Sequence, residues 1–202
     1  MPSNLEYFNR RLHSLLGVIP IGIFLIQHFV INHFATRGPE AFNQAAHFME
    51  SLPFRYALEI FVIFLPIMFH AVYGIYIAFK GKSNTSRYGF FRNWMFLLQR
   101  ISGVFLVIFI AWHVWDTRVQ AMLGQEVNYE MMADILQNNW MFAFYIAGIV
   151  AATFHFANGL WSFAVSWGIT VTPKSQKIMT YVSIAVFIAL TYVGVAAALA
   201  FV

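Results

Sequence analysis

The sequence predicts an all-α membrane protein: five transmembrane helices in a bundle, N-terminus cytoplasmic and C-terminus outside. Three observations lead there. The 202-residue chain is 60% hydrophobic and only 10% charged, where a soluble domain has roughly a quarter of its residues charged. Five apolar stretches reach the ~20 residues that cross a bilayer. The basic residues are distributed unevenly among the connections, so the net charge of +4 is a topology signal, not a sign of a nucleic-acid partner. The five stretches leave no room for a separate soluble domain, and residues 1–202 read as one membrane-anchor domain. The chain has no cysteine, which excludes disulfides, iron–sulfur clusters held by this chain, thiolate zinc sites and C-x-x-C-H haem attachment.

The first span, residues 12–34, follows Arg10 and Arg11 and so imitates a signal peptide. It carries His28 and Asn32, and no small-residue cleavage site follows, so it reads as a retained span. The stretch "GPEAFNQAAHFMESLP" has Pro39 where a helix would start and Pro53 where it would stop. Phe42, Ala45, Ala46, Phe48 and Met49 recur in it at helical spacing, predicting an amphipathic helix over residues 39–52 on the outer surface. The second and third spans are residues 56–79 and 94–115. "NYEMMADILQ", residues 128–137, offers Asn128 as an N-cap and Met131, Met132, Ile135 and Leu136 along one face, a second surface helix. The fourth and fifth spans are residues 140–167 and 178–202. Trp94, Trp115, Trp140 and Trp167 stand at span ends as interfacial anchors.

Orientation follows from charge. Arg10, Arg11, Lys80, Lys82, Arg87, Arg92, Arg100, Lys174 and Lys177 fall on one side, nine of the twelve Lys and Arg. The other side holds Arg37, Arg55 and Arg118, with Glu40, Glu50, Glu59, Asp116, Glu126, Glu130 and Asp134. The first side is therefore cytoplasmic.

A titratable ring inside an apolar span is costly and signals function. Of the seven histidines, four lie well inside a span, one on each of the first four helices: His28 in "LIQHFV", His70 in "IMFHAVYG", His113 in "IAWHVW" and His155 in "ATFHFANG". At about 1.5 Å per residue, His28 and His113 share an outer level, while His70 and His155 share a deeper, more cytoplasmic one. Two levels of two imidazoles each is the arrangement two bis-histidine haems need. Gly74 and Gly159 follow His70 and His155 at i+4. Gly17 and Gly103 lie on the His28 and His113 faces, about 15 Å deeper. All four read as gaps where a porphyrin would lie close. Arg11, Arg100, His13 and Ser14 at the inner end are candidates to meet haem propionates. The structural alternative is that membrane histidines and glycines serve helix packing. His33 and His47 read as surface or interface histidines.

Long stretches then resemble a known family: "RRLHSLLGVIPIGIFLIQH", "AAHFMESLPFRYALEIF", "HAVYGIYIAF", "AWHVWDTR" and "HFANGLWSFAVSWGITVTP". Over nearly all 202 residues the chain resembles the cytochrome b558 membrane-anchor subunits of Bacillus-type succinate dehydrogenase. The resemblance implies a five-helix multi-pass anchor in the bacterial plasma membrane. It implies two haems b with axial ligands at His28, His70, His113 and His155. It also implies a flavoprotein subunit and an iron–sulfur subunit as partners, with menaquinone as electron acceptor. The reading that results is an electron-transfer subunit of an oxidoreductase complex, not itself catalytic for succinate, passing electrons from the inner level to the outer one and on to menaquinone. Candidates for an outer quinone site are Glu59, Asp116, Arg55, Asn32, His33 and His47; pairing of Asp116 with Arg118 and of Glu59 with Arg55 is the structural alternative. Three rivals remain: the dihaem subunit of a fumarate reductase, hydrogenase or formate dehydrogenase; a haem-free metal or proton transporter, against which stands the lack of a carboxylate track through the spans; and a purely structural anchor.

Overall fold

A computed structural model describes residues 4–202, and among them all regular structure is helical. Among the described residues, five helices are long and apolar enough to cross a membrane: α1 (Asn4–Arg37), α3 (Arg55–Lys80), α4 (Phe91–Met122), α6 (Asn139–Ser166) and α7 (Pro173–Leu199). Two shorter helices, α2 (Pro39–Glu50) and α5 (Tyr129–Leu136), lie in the connections between α1 and α3 and between α4 and α6.

The helix ends have local causes. Asn128 caps α5, its side chain accepting from the Met131 N–H at 2.9 Å. Asn138 caps α6, accepting from Trp140 and Met141. Thr172 and Ser175 form a reciprocal capping box that spans Pro173 at the start of α7. Each satisfies donors that the first helical turn leaves open. Several span ends accordingly run past the expected limits, while α6 and α7 end slightly short of theirs. α1 begins by Asn4, α4 continues to Met122, and α7 starts at Pro173 and ends at Leu199. The polar ends stay helical because capping and ion pairs satisfy them, which hydropathy does not register.

Two spans contain a π-helical turn, Glu59–Phe64 in α3 and Trp115–Val119 in α4. In α3 the π turn lies just before Pro66, whose ring removes a donor and crowds the preceding turn. In α4 it extends the helix through Asp116 and Arg118, which hydropathy assigns to a loop.

α6 is the central element, packing against α1, α4 and α7. Thr153 of α6 is fully buried and meets Thr191 of α7 at 2.8 Å between hydroxyls. The tightest apolar core lies at one end, under the short helices. Phe42 and Ala46 of α2 and Leu136 of α5 join Leu106, Phe109, Tyr145 and Phe201 there. Phe42 sets its ring edge-on to Phe201 at 5.1 Å, Asn43 accepts from the Tyr129 N–H at 2.7 Å, and the Tyr129 hydroxyl donates to the Ala200 carbonyl. The two connections are therefore a folded cap and not only surface-lying helices; Phe48, expected on the apolar face of α2, is 60% exposed.

Candidate functional site

The four intramembrane histidines meet in two pairs. His28 of α1 and His113 of α4 have ring centroids 5.7 Å apart with planes at 75°. His70 of α3 and His155 of α6 have centroids 6.2 Å apart with planes at 83°. The alternation of helix directions brings together the residues that depth counting pairs.

Each ring is oriented by a neighbour. His70 Nδ1 lies 2.9 Å from the carbonyl oxygen of His13. A carbonyl only accepts, so Nδ1 carries the hydrogen and Nε2 keeps its lone pair. His155 Nδ1 lies 3.1 Å from the Gln99 carbonyl, with the same consequence. His113 Nδ1 faces the Tyr145 hydroxyl at 3.4 Å. His28 is contacted by the Asn32 amide, 3.5 Å from both ring nitrogens, while that amide donates to the His28 carbonyl at 2.8 Å. An imidazole whose Nδ1–H is held presents Nε2 to a metal.

The glycines adjoin the paired histidines. A Cβ on Gly17 would meet His70 Cε1 at 2.5 Å, and one on Gly103 would meet His155 Cε1 at 2.9 Å. These recesses seat the imidazoles themselves. A Cβ on Gly74 would approach His13 Nε2 at 3.1 Å, and one on Gly159 the Gln99 amide at 3.6 Å. All four glycines adjoin the His70/His155 level, and their neighbours are ring and amide atoms.

These residues fit a bis-imidazole haem. A ring nitrogen binds a transition metal at about 2 Å, so two imidazoles sharing one ion have centres about 6 Å apart, close to both separations. Among the described residues, no group of three or more His, Asp or Glu converges on a metal position. Two imidazoles leave a bare ion short of ligands, whereas a porphyrin supplies four nitrogens of its own. At the inner end, Arg100 Nε is buried without a hydrogen-bond partner, a donor available to a carboxylate. The Arg100 guanidinium sits 3.3 Å from the Phe96 ring centroid and bonds the Phe96 carbonyl.

The other inner candidates are near by. The His13 ring stacks on His70 at 4.0 Å and 9°, and Ser14 beside it is half-buried. Arg11 lies 5.2 Å from the ring centroids of both Tyr7 and Trp167.

The outer candidates scatter. Arg55 and Glu59 come together at 3.7 Å, but the partner of Arg118 is Glu59 at 2.7 Å, not Asp116. Two residues apart on α4, Arg118 and Asp116 fall on nearly opposite sides of the helix: Arg118 reaches across to α3, while Asp116 lines a cavity of about 670 Å³ with Gln120, Glu126, Glu130 and Asp134. Asn32 stays against His28. His33 Nδ1 meets the Val193 carbonyl of α7 at 3.2 Å, an interhelical contact, and His47 is exposed on α2. The sequence reading missed Gln99, Ser102, Asn158 and Tyr145, which surround the paired histidines. Their signal was present: an amide in an apolar span carries the same desolvation penalty that singled out the histidines.

Fold and site together define a polytopic α-helical membrane protein carrying paired histidines between its spans. Residues 81–194 match the family described as succinate dehydrogenase/fumarate reductase transmembrane subunit. Over its whole length the chain is similar to the succinate dehydrogenase cytochrome b558 subunit of Bacillus subtilis (strain 168), with 63% identity over 202 residues and 100% of both chains covered. The chain belongs to this family of membrane subunits.

Proposed function

We propose that the chain is the membrane anchor of a bacterial succinate dehydrogenase. It binds two haems b, one on His28 and His113 and the other on His70 and His155, and serves electron transfer from a flavoprotein subunit and an iron–sulfur subunit to menaquinone. Residues 1–202 act as one anchor domain. The observation that carries this reading is the pair of facing imidazole sets drawn from four helices. The cytochrome b558 relative supports the cofactor, and the family supports the partners.

Haem iron, when bound, supplies reversible one-electron transfer. The chain's own residues do the rest. The His13 and Gln99 carbonyls hold the Nδ1 protons of His70 and His155 and turn Nε2 toward the metal position. Arg100, with Arg11, His13 and Ser14, offers positive charge and donors to propionates at the inner end. The basic inner surface, with Lys82, Arg87, Lys174 and Lys177, is the cytoplasmic side and receives the partner subunits. The outer rim, with Glu59, Asp116, Arg55, Asn32, His33 and His47 as candidates, receives the quinone head group and the protons it takes up.

The test is spectroscopic and stoichiometric. A dithionite-reduced minus oxidised spectrum of the purified protein shows haem b bands, and the whole complex gives the same bands with succinate as reductant. His70→Ala or His155→Ala loses one haem; His28→Ala or His113→Ala loses the other. Two haems per chain in His113→Ala would overturn the assignment. The family description also covers fumarate reductases, and reduction by succinate at a useful rate separates the two directions. A haem-free transporter gives no bands.

A further inference from the structure

Gln99 of α4 and His155 of α6 hold each other by two reciprocal hydrogen bonds. The His155 ring donates Nδ1–H to the Gln99 carbonyl at 3.1 Å, and the Gln99 side-chain amide donates to the His155 carbonyl at 3.0 Å. Asn158, three residues beyond His155, donates to Gln99 Oε1 at 2.7 Å and to the Met95 carbonyl at 3.3 Å. Ser102, three residues beyond Gln99, places its hydroxyl 3.1 Å from His155 Nδ1 and donates to the Gln99 carbonyl at 3.1 Å. Asn158 and Ser102 are each only 8% exposed. Three polar side chains at a helix contact in an apolar span are costly unless satisfied. Here each of them is satisfied on His155, on the carbonyl that receives its ring proton, or on the amide that grips its backbone.

The other three histidines lack such an enclosure. His70 has a carbonyl and a stacked ring, His113 a hydroxyl at 3.4 Å, and His28 an amide at 3.5 Å. Register between α4 and α6 needs only the amide-to-carbonyl bonds. The bonds to Nδ1 serve the ring.

We propose that Gln99, Asn158 and Ser102 are positioning residues for His155. They place the proton on Nδ1 and fix the ring plane at 83° to that of His70. This rests on the reading of His155 as an axial haem ligand. Two consequences follow from ligand chemistry. The angle between axial imidazole planes sets the splitting of the ferric iron's d orbitals, and so its low-spin paramagnetic resonance signal. Donation of Nδ1–H to oxygen makes the imidazole a stronger electron donor, which favours the ferric state. Loss of those acceptors therefore raises the midpoint potential.

The experiment compares the whole complex carrying Gln99→Leu, Ser102→Ala, Ser102→Thr or His155→Ala. The readouts are haem per chain, the ferric paramagnetic resonance spectrum and a redox titration. His155→Ala identifies, by its disappearance, the signal of the His70/His155 haem. Gln99→Leu is expected to keep both haems and shift that signal, with the His28/His113 signal unmoved. Ser102→Ala is expected to raise the potential of the same haem, and Ser102→Thr, which keeps the hydroxyl, to return it toward the parent. If Gln99→Leu does not assemble, Ser102→Ala, which removes one oxygen, carries the test. Parental signal and potential in the variants that assemble, or equal shifts in both haems, overturn the positioning role. If His155→Ala keeps two haems, it is the ligand reading that fails instead.

Discussion

Arg118 donates through both Nε and Nη2 to a single carboxylate oxygen of Glu59, at 3.0 and 2.7 Å. The bonds join α4 to α3 where each helix widens into a π turn. Arg55 lies 3.7 Å from the other oxygen. Both partners are about a fifth to a quarter exposed, so the pair lies between a screened surface bridge and a buried one.

Breaking this pair is expected to cost stability without loss of haem. A double-mutant cycle of Glu59→Gln and Arg118→Gln isolates the coupling, with about 1.5–3 kcal/mol expected for hydrogen bonds to a charged group. Thermal unfolding in detergent measures it, and the reduced-minus-oxidised spectrum monitors haem. Additive single effects would place the pair among surface bridges that contribute little.

The cap over the outer end supplies a second expectation. Leu136 is 1% exposed and packs among the residues that join α5 to the bundle, whereas Phe48 on α2 is 60% exposed. Leu136→Ala leaves a cavity and should cost about 2–5 kcal/mol. Phe48→Ala should stay within about 0.5 kcal/mol. Equal melting shifts for the two would mean that the cap does not fold onto α4 and α6.

The sequence made the spans legible because a bilayer imposes one rule on twenty consecutive residues, and it made the histidine pairs legible because alternating helices turn residue counts into depth. It did not reveal the partner of Arg118. Asp116 and Arg118 are two residues apart and so fall on nearly opposite sides of their helix, and sequence alone does not say which neighbouring helix Arg118 meets. The destination of the Nδ1 protons was equally hidden, since two of the acceptors are backbone carbonyls, of His13 and Gln99. The glycine spacing located Gly17 and Gly103 beside the inner level, but not what fills the recess, because a missing side chain does not say whether a porphyrin or an imidazole edge comes close.

Topology is open to a direct test. The basic ends of α1, α3, α4 and α7 gather with the C-terminal end of α6 at one end of the bundle, where Lys80 bonds Glu6 at 3.0 Å, Arg11 faces Trp167 and Arg92 bonds Thr180. The distribution of Lys and Arg leads to the expectation that this end is cytoplasmic. A reporter fused after Val202 should behave as external and one inserted at Ser86 as cytoplasmic. The reverse result would exchange the inner and outer levels and reverse the direction of electron flow.

The last expectation concerns where the proposed acceptor, menaquinone, would be reduced. The end of the bundle that carries His28 and His113 is also the end covered by α2 and α5. The cavity of about 670 Å³ opens there, with Asp116, Glu126, Glu130 and Asp134 on its walls. Asp116 lies three residues beyond His113, so this acidic surface and the outer histidine pair share one stretch of α4. A quinone reduced at this rim has carboxylates at hand to relay protons from outside, while the basic opposite end is left to the partner subunits. A menaquinone-analogue inhibitor should therefore shift the spectrum or midpoint potential associated with His28 and His113, and leave that of His70 and His155 nearly unchanged. Asp116→Asn should slow quinone reduction by the whole complex while keeping two haems. On the proposed reading electrons arrive from inside and protons from outside, which would make the step sensitive to voltage, at about 2.3 kcal/mol per charge for each 100 mV traversed, so an imposed membrane potential should change the rate. An inhibitor effect confined to the His70/His155 level, or a rate indifferent to the imposed potential, would move the quinone site to the other end of the bundle.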